Sequence, residues 1–405
     1  MKLILTLAWR NIWRQPGRSL VLIGAIVSGV WAGVVVSGWA NGLIEQRLVN
    51  LIQTEITHAQ IHHPQFRQER ESSMYISAPE RIYQMLDSDP RVKSWAPRTL
   101  SDGMFQSPVA ASGVRIRGVD VELEPKVTIF HEMITQGAYL DETMRNPVLV
   151  GEALAEKHNL EPGYRVVLSF QDVNNELVSA SFTIAGLYKT HSTVYDERTV
   201  YVRMQDLSEL INGSLAVHEI AILLEEESYS GNLIADLREQ FPDVHSESWY
   251  ELSPELRYLV DFGGMMTGMI MLIIMFALAF GILNTMLMAL FERMRELGML
   301  MAIGMNRQRV FAMILLESVL LTLSGGLAGL LAAAGTIRIL MNRGIDLSVF
   351  GDGLAEWGFE SVIYPVMTGA DYGEVFVIVI LAAILASIYP ALKAVRMNPL
   401  EVEKE

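Results

Sequence analysis

NTMLMALFERMRELGMLMAIGMNRQR, residues 284–309, governs how the rest of the chain is read. An apolar run breaks at Glu292, Arg293, Arg295 and Glu296. Glycines follow at Gly298 and Gly304, and Arg307 and Arg309 precede a second apolar run. The pattern predicts a membrane span, a short charged helix and a return into the membrane. Arg and Lys concentrate on the cytoplasmic side of membrane proteins, so the charged helix is placed in the cytoplasm. A compact helix held between two spans is suited to receiving a push from a soluble partner.

Working outward, a span needs about 20 mostly apolar residues. Leu20 to Ala40, Phe262 to Leu290, Val310 to Ile337 and Val375 to Ala391 qualify. The first is too long for a signal-peptide core and has no small-residue cleavage site before a polar start, so it reads as a retained span. Lys2, Arg10, Arg14 and Arg18 precede it, and Lys393, Arg396 and Lys404 follow the last span. The loop between the third and fourth spans has only Arg338 and Arg343, so both termini are expected inside.

The expected fold is an α+β membrane protein with four transmembrane helices and a large mixed α/β periplasmic domain between the first and second. Its divisions are a cytoplasmic amphipathic helix at 1–17, spans at 18–41, 259–290, 309–337 and 372–392, and the outer domain at 42–258. The charged helix takes 291–308, a periplasmic loop 338–371 and a cytoplasmic tail 393–405. Near the N-terminus, Trp9 and Trp13 with Arg10 and Arg14 suit a helix lying on the inner membrane surface, broken by Pro16-Gly17.

The outer domain from Gly42 to Tyr258 holds 18 Lys and Arg against 33 Asp and Glu, so the whole net charge of −15 resides there. Such an exterior argues against nucleic acid and against adhesion to anionic headgroups. Alternating patterns predict strands at Glu55 to Ile61, Val92 to Thr99, Gly113 to Arg117, Arg165 to Phe170, Ser179 to Leu187, Thr199 to Val202 and Glu219 to Leu224. Helices are expected at Pro79 to Leu86, Gly151 to His158, Gln205 to Ile211, Ser228 to Gln240 and Glu251 to Leu259. Two lobes are expected, the central one at about 130–203.

Several chemistries are excluded or disfavoured. There is no cysteine, hence no disulfide, zinc-thiolate site or thiol nucleophile. Leu323-Ser324-Gly325-Gly326 resembles an ATPase signature but lies inside an apolar span, and the chain has no Gly-Lys dipeptide and so no phosphate-binding loop. His58, His62 and His63 lack an evident further ligand and read as a surface strand rather than a metal site. No catalytic residue, cofactor site or metal site is expected.

Within the spans, Gly29 and Gly33, and likewise Gly325 and Gly329, place two glycines on one helix face, as do Gly38-xxx-Gly42 and Gly264-xxx-Gly268. Such faces allow close helix packing in lipid. Glu317 lies about two turns inside the third span, where an acid finds a partner, a wet cavity or the interface, and is an intramembrane functional candidate.

Glu292-Arg293-x-Arg295-Glu296-x-Gly298, Ala302-x-Gly304, Glu317 and the Gly325/Gly329 run together resemble the permeases of the ABC exporter group that includes cell-division FtsX, the macrolide exporter MacB and the lipoprotein-releasing permeases. Pro390-Ala391, Lys393, Ala394, Arg396 and Pro399 fit the tail, and Ala8-x-Arg10-Asn11 the front. Val148 to Leu168 looks like part of the family's outer domain. The resemblance implies that Glu292, Arg293, Arg295, Glu296, Gly298, Ala302 and Gly304 couple to a cytoplasmic ABC ATPase dimer, which binds the ATP and Mg. It also implies a second permease copy or paralogue, residence in the bacterial inner membrane and an outer domain that moves as the ATPases close. The lipoprotein-releasing branch matches best in length, span number and lack of a fused ATPase, and implies a periplasmic lipoprotein carrier. MacB-like efflux of peptides or drugs, or an FtsX-like signalling scaffold, are the alternatives.

Overall fold

A computed structural model describes residues 6, 8–10, 12–14 and 16–396. The helix expected at 1–17 lies partly outside the described residues, and the tail beyond residue 396, with Pro399 and Lys404, wholly so. The chain divides into two compact units. Residues up to Glu45, with Val260–Asp346 and Val362 onward, form a helical unit; Gln46–Leu259 with Leu347–Ser361 form a sheet unit.

Four helices are long and apolar enough to cross a membrane: Pro16–Leu51, Pro254–Glu292, Arg307–Arg343 and Gly369–Arg396. At 1.5 Å per residue the longest reaches about 58 Å, well beyond a hydrocarbon core of about 30 Å. Within the helical unit the third span is central. A Cβ at Gly325 would lie 2.9 Å from Ile26 Cβ, and one at Gly329 3.0 Å from the Val27 carbonyl, so the first span rests on these glycines. Gly326 faces Val379 of the fourth span instead. Gly29 and Gly33 receive Leu278 and Ile274 of the second span. Between them, Ile26, Val30, Ile282, Ile314, Leu321 and Ala383 make one continuous core.

Because neighbouring backbone blocks any retreat at Gly329, Gly329→Leu is expected to lower the stability of the helical unit by about 1–3 kcal/mol. Gly264→Leu should leave it unchanged, since a Cβ there meets nothing within 4 Å in this chain. Thermal unfolding in detergent compares them, and equal losses would refute the packing argument.

The sheet unit is built on ten strands: β1 (Ala59–His62), β2 (Val92–Gln106), β3 (Ala111–Val119), β4 (Ile134–Gly137), β5 (Pro147–Gly151), β6 (Arg165–Gln171), β7 (Leu177–Tyr188), β8 (Thr199–Arg203), β9 (Glu219–Leu224) and β10 (His245–Ser248). Their order is β10-β1-β9-β2-β3-β8-β5-β7-β4, with β6 pairing both β2 and β7. Strand β2 is the hub because its 15 residues serve different neighbours at its two ends. Val92–Arg98 pairs with β9, Arg98–Gln106 with β3, and Gly103–Gln106 also with β6. Gly103 permits that second pairing, since a Cβ there would lie 2.5 Å from the Ser169 carbonyl. The lobe expected at 130–203 carries β4 to β8, which hydrogen-bond to β2 and β3, so the expected lobes share one sheet. Distinct cores lie on it, one around Phe105, Ile116 and Phe182 and another around Ile61, Ile220 and Leu237.

Three local expectations are corrected. The strand expected at Glu55 to Ile61 begins only at Ala59, because a π-helical turn, Ile52–Ile56, carries the first helix further and ends at Thr57 with φ 56°. Strand β1 is buried at all four residues between β10 and β9, so it is an interior strand and not a surface one. Its neighbourhood uses the histidines structurally. His62 Nε2 lies 3.2 Å from Glu219 Oε2, and His58 Nδ1 accepts from the Leu224 amide at 3.0 Å. The helix expected at Glu251 to Leu259 is broken at Ser253, between Trp249–Leu252 and the helix that starts at Pro254. A residue before proline is driven out of the helical region, and Pro254 restarts the helix as its first residue.

The loop after the third span also joins the sheet unit. Glu360 accepts hydrogen bonds from Gln46 Nε2 at 2.9 Å and Asn50 Nδ2 at 2.7 Å.

Candidate functional site

The charged helix is a sharply bounded element. The second span ends at Glu292, Arg293 leaves helical geometry, and the helix Met294–Ala302 follows. Beyond Ala302 the chain turns through Gly304 at φ 103°, a conformation open to glycine and strained for other residues. The Met305 amide donates to the Leu300 carbonyl at 3.0 Å and the Gly304 amide to that of Met301 at 3.1 Å. These bonds satisfy carbonyls that a helix end leaves exposed. Asn306 then caps the third span, its side chain accepting from the Gln308 amide.

The helix has two faces. Leu297 is buried, and Leu300, Met301 and Met305 pack against the core of the helical unit. Arg295 is exposed, Met299 is 62% exposed and Ile303 85% exposed. Spaced by four, these three share one side of the helix. Together they set a large exposed apolar pair beside a cation, turned away from the core of the helical unit. Glu292 is exposed beside it. Gly298 is buried, yet an added Cβ would meet nothing within 4 Å in this chain.

The remaining charges brace the helix. Arg14 Nη1 donates to Glu296 Oε2 at 2.7 Å; both groups are half-exposed, so the pair contributes at most about 1 kcal/mol. Lys393 Nζ of the fourth span stands 4.6 Å from the centre of the Phe291 ring. Ala8 and Ile12 are buried while Trp9 and Trp13 are half-exposed, and Ser19 Oγ donates to the Ile12 carbonyl at 2.6 Å. Arg293 points inward. Its Nη1 donates to Glu317 Oε1 at 3.0 Å, with side chains 13% and 9% exposed. Around the pair a small cavity of about 30 Å³ is walled by Met286, Leu290, Leu297, Met313 and Ile314. Glu317 therefore has a partner, and the partner comes from the loop. The sequence marks both residues but not their pairing, since 24 positions separate them. The usable signal was that an acid inside a span finds a counter-charge.

The sheet unit has its own buried charges. Arg98 on β2 is wholly buried; it donates to both Glu124 oxygens at 2.6 and 2.9 Å and to Glu219 Oε1 at 2.6 Å. Thr128 Oγ1 also donates to Glu124, and His62 meets the other oxygen of Glu219. Burial works to discharge Arg98, but the charges of Glu124 and Glu219 outweigh it and hold its pKa well above the ordinary value. Burial likewise pushes Glu219 up, while the Arg98 charge and the His62 hydrogen bond pull its carboxyl well below the usual carboxylate range. No pattern in the sequence announced this cluster. Among the described residues no three His, Asp or Glu side chains gather as a metal site.

Comparison with known proteins assigns both halves. Residues 19–240 match the MacB-like periplasmic core domain, and residues 268–399 match the FtsX-like permease C-terminal region. The chain is 24% identical over 364 residues to an uncharacterised ABC transporter permease, YvrN, of Bacillus subtilis, covering 82% of this chain and 87% of that one. It is 22% identical over 404 residues to the lipoprotein-releasing system transmembrane protein LolC of Neisseria meningitidis, covering 95% and 93%. A 33% identity to the macrolide export protein MacB of Chlorobium luteolum extends over 121 residues, 30% of this chain and 16% of that one. The crystal structure of the periplasmic region of MacB from Actinobacillus actinomycetemcomitans aligns with half of this chain and 93% of its own, at 14% identity and TM-score 0.35. With its four candidate membrane helices and its large α/β domain, the chain belongs to the family of ABC transporter permeases that carry a MacB-like periplasmic core and an FtsX-like C-terminal region.

Proposed function

We propose that the chain is the non-catalytic permease of an ABC transporter in the bacterial inner membrane, worked by a separate cytoplasmic ATPase dimer that binds ATP and Mg. The exposed face Arg295–Met299–Ile303 carries this reading, because it offers a soluble partner one cation flanked by apolar anchors. In this reading both termini and the charged helix are cytoplasmic, the sheet unit is periplasmic, and a second copy or paralogue completes the transporter. Glu292 and Arg295 face the partner, while Arg293, Glu296 and Gly304 set the helix in place and Ala302 ends it. The scarcity of charges inside the spans argues against an ion or polar-solute path, and favours motion passed from the charged helix to the sheet unit.

Arg295→Glu or Ile303→Asp is expected to reduce ATPase co-purification more than about tenfold, as loss of a central anchor costs about 2 kcal/mol or more. Retention of the ATPase by both variants would refute docking at this face.

For cargo, the reading favoured is release of lipoproteins from the inner membrane towards a periplasmic carrier. It is supported by similarity to LolC along nearly the whole length of both chains. Efflux of periplasmic peptides or drugs is the second reading, supported by the MacB-like core over residues 19–240. Mass spectrometry of the purified ATPase-bound complex separates them: an acylated lipoprotein supports the first, and its absence beside a bound peptide or drug supports the second.

A further inference from the structure

The sheet unit contains a feature that transport coupling does not use. A cavity of about 160 Å³ is lined by Arg67, Arg70, Arg115 and Arg117, together with Gln60 and Ser101. Its volume is on the order of ten times what one water needs. Segment 42–258 is strongly acidic, with 18 basic against 33 acidic side chains, yet four of those 18 meet here. Such a concentration runs against the field of the surrounding surface and calls for a local cause.

The carboxylates on the lining leave this positive charge incompletely matched. Glu219 is engaged by Arg98 and His62. Asp102 is shared by Arg70 at 3.3 Å and Arg115 at 3.6 Å. Arg67 is taken by Glu247 at 2.7 Å and the Leu252 carbonyl at 2.8 Å. Arg117 has no carboxylate within 4 Å among the described residues, although it is only 5% exposed. Its Nη1 donates to the Glu55 carbonyl at 2.9 Å and its guanidinium lies 5.6 Å from the Tyr195 ring centre. Its Nε has no hydrogen-bond partner among the described residues. A buried guanidinium N–H is ordinarily satisfied, so a side chain that lines this cavity carries a donor without an acceptor. Arg70 is the left-handed C-cap of the short helix Phe66–Glu69, its amide donating to the Phe66 carbonyl at 2.8 Å, and its half-exposed side chain stands at the cavity edge.

We propose that this cavity binds a phosphate-type oxyanion, with Arg117 and Arg115 as the principal donors and Arg70 at its edge. Planar guanidinium groups pair with phosphate through two parallel hydrogen bonds, which favours a multi-oxygen anion over a single carboxylate. A neighbouring cavity of about 440 Å³ shares Asp102 and Arg115 and adds Arg47, Arg198, Ser192 and the Glu55 carboxylate, and its volume leaves room for the remainder of a phosphate ester. The same chemistry occurs in free phosphate and in the headgroup of a phospholipid.

Titration of the detergent-purified full chain with inorganic phosphate and with glycerol 3-phosphate, followed by calorimetry, tests the site, with acetate as the carboxylate control. Saturable binding of either phosphate is expected, weakened about tenfold or more in Arg115→Gln and Arg70→Gln. Arg70 is half-exposed, so its substitution preserves the fold if Arg115→Gln does not. Tighter binding of glycerol 3-phosphate supports the site and assigns a headgroup source, while tighter binding of inorganic phosphate supports it and assigns a free anion. Absence of saturable binding by either, acetate binding as tightly, or unchanged binding in both variants overturns it.

Discussion

Arg98→Met is expected to lower the stability of the sheet unit by about 3–5 kcal/mol, the cost of breaking a buried charge cluster from one side. The guanidinium is wholly buried and is the only cation paired directly with both Glu124 and Glu219 among the described residues. Removing it leaves two buried carboxylates with only Thr128 at Glu124 and His62 at Glu219 as side-chain partners among the described residues. Methionine restores volume but supplies no donor. The pH dependence should change sign. In the native chain the Glu219 pKa is depressed, so its contribution is present above the unfolded carboxylate pKa and is lost as pH falls through the lower folded value. Without Arg98, burial is opposed chiefly by the His62 hydrogen bond and is expected to raise that pKa above its unfolded value. The Glu219 contribution is then present below the unfolded pKa and lost as pH rises through the folded one. Urea unfolding of the sheet unit at pH 5 and pH 8 measures both effects. A variant as stable as the parent at pH 8, or one stabilised further as pH rises from 5 to 8, would contradict the assignment.

The second large effect concerns the link between the loop and the third span. Glu317→Leu and Arg293→Leu should each destabilise the helical unit by about 3 kcal/mol, because each removes the counter-charge 3.0 Å from a largely buried side chain. The double variant is expected to recover most of that loss, giving a coupling energy of about 1–3 kcal/mol in a double-mutant cycle. The functional outcome should differ from the stability outcome. If Arg293–Glu317 fixes the charged helix to the third span, the double variant folds but transmits poorly, so transport-coupled ATP hydrolysis stays low. Additive losses in the cycle would show that the two groups do not depend on each other. Full coupled activity in the double variant would show that the pair serves stability alone.

Much of the architecture was legible because membrane solvent imposes simple rules. Four apolar runs and the charged break at residues 291–308 follow from the length and hydropathy of the sequence, and four candidate membrane helices stand in the structure. In the sheet unit, Glu219–Leu224 and Arg165–Gln171 were readable from alternation and composition. Strand β1 starts later than alternation predicts because the first helix extends as a π-helical turn through Ile56, and His62 reads as a surface group although it is buried beside Glu219. Burial of that kind depends on strands about 160 and 185 residues away, which local pattern does not encode.

What the sequence determined by itself is the set of apolar runs, the acidic middle segment and the presence of a charged helix between two of those runs, whose observed extent, Met294–Ala302, is narrower than the 291–308 expected. Gly304 and Asn306 end one helix and begin the next without help from the rest of the fold. Only the tertiary structure decided which charges meet. It turned Arg293 inward to Glu317 and left Arg295 outward, although they lie two residues apart. It joined Arg98 to Glu124 and Glu219 across separate elements, and gathered four arginines on one cavity of an acidic domain. The physical reason is that a charge is stabilised by whatever partner lies within a few ångströms, and folding, not chain position, sets that distance.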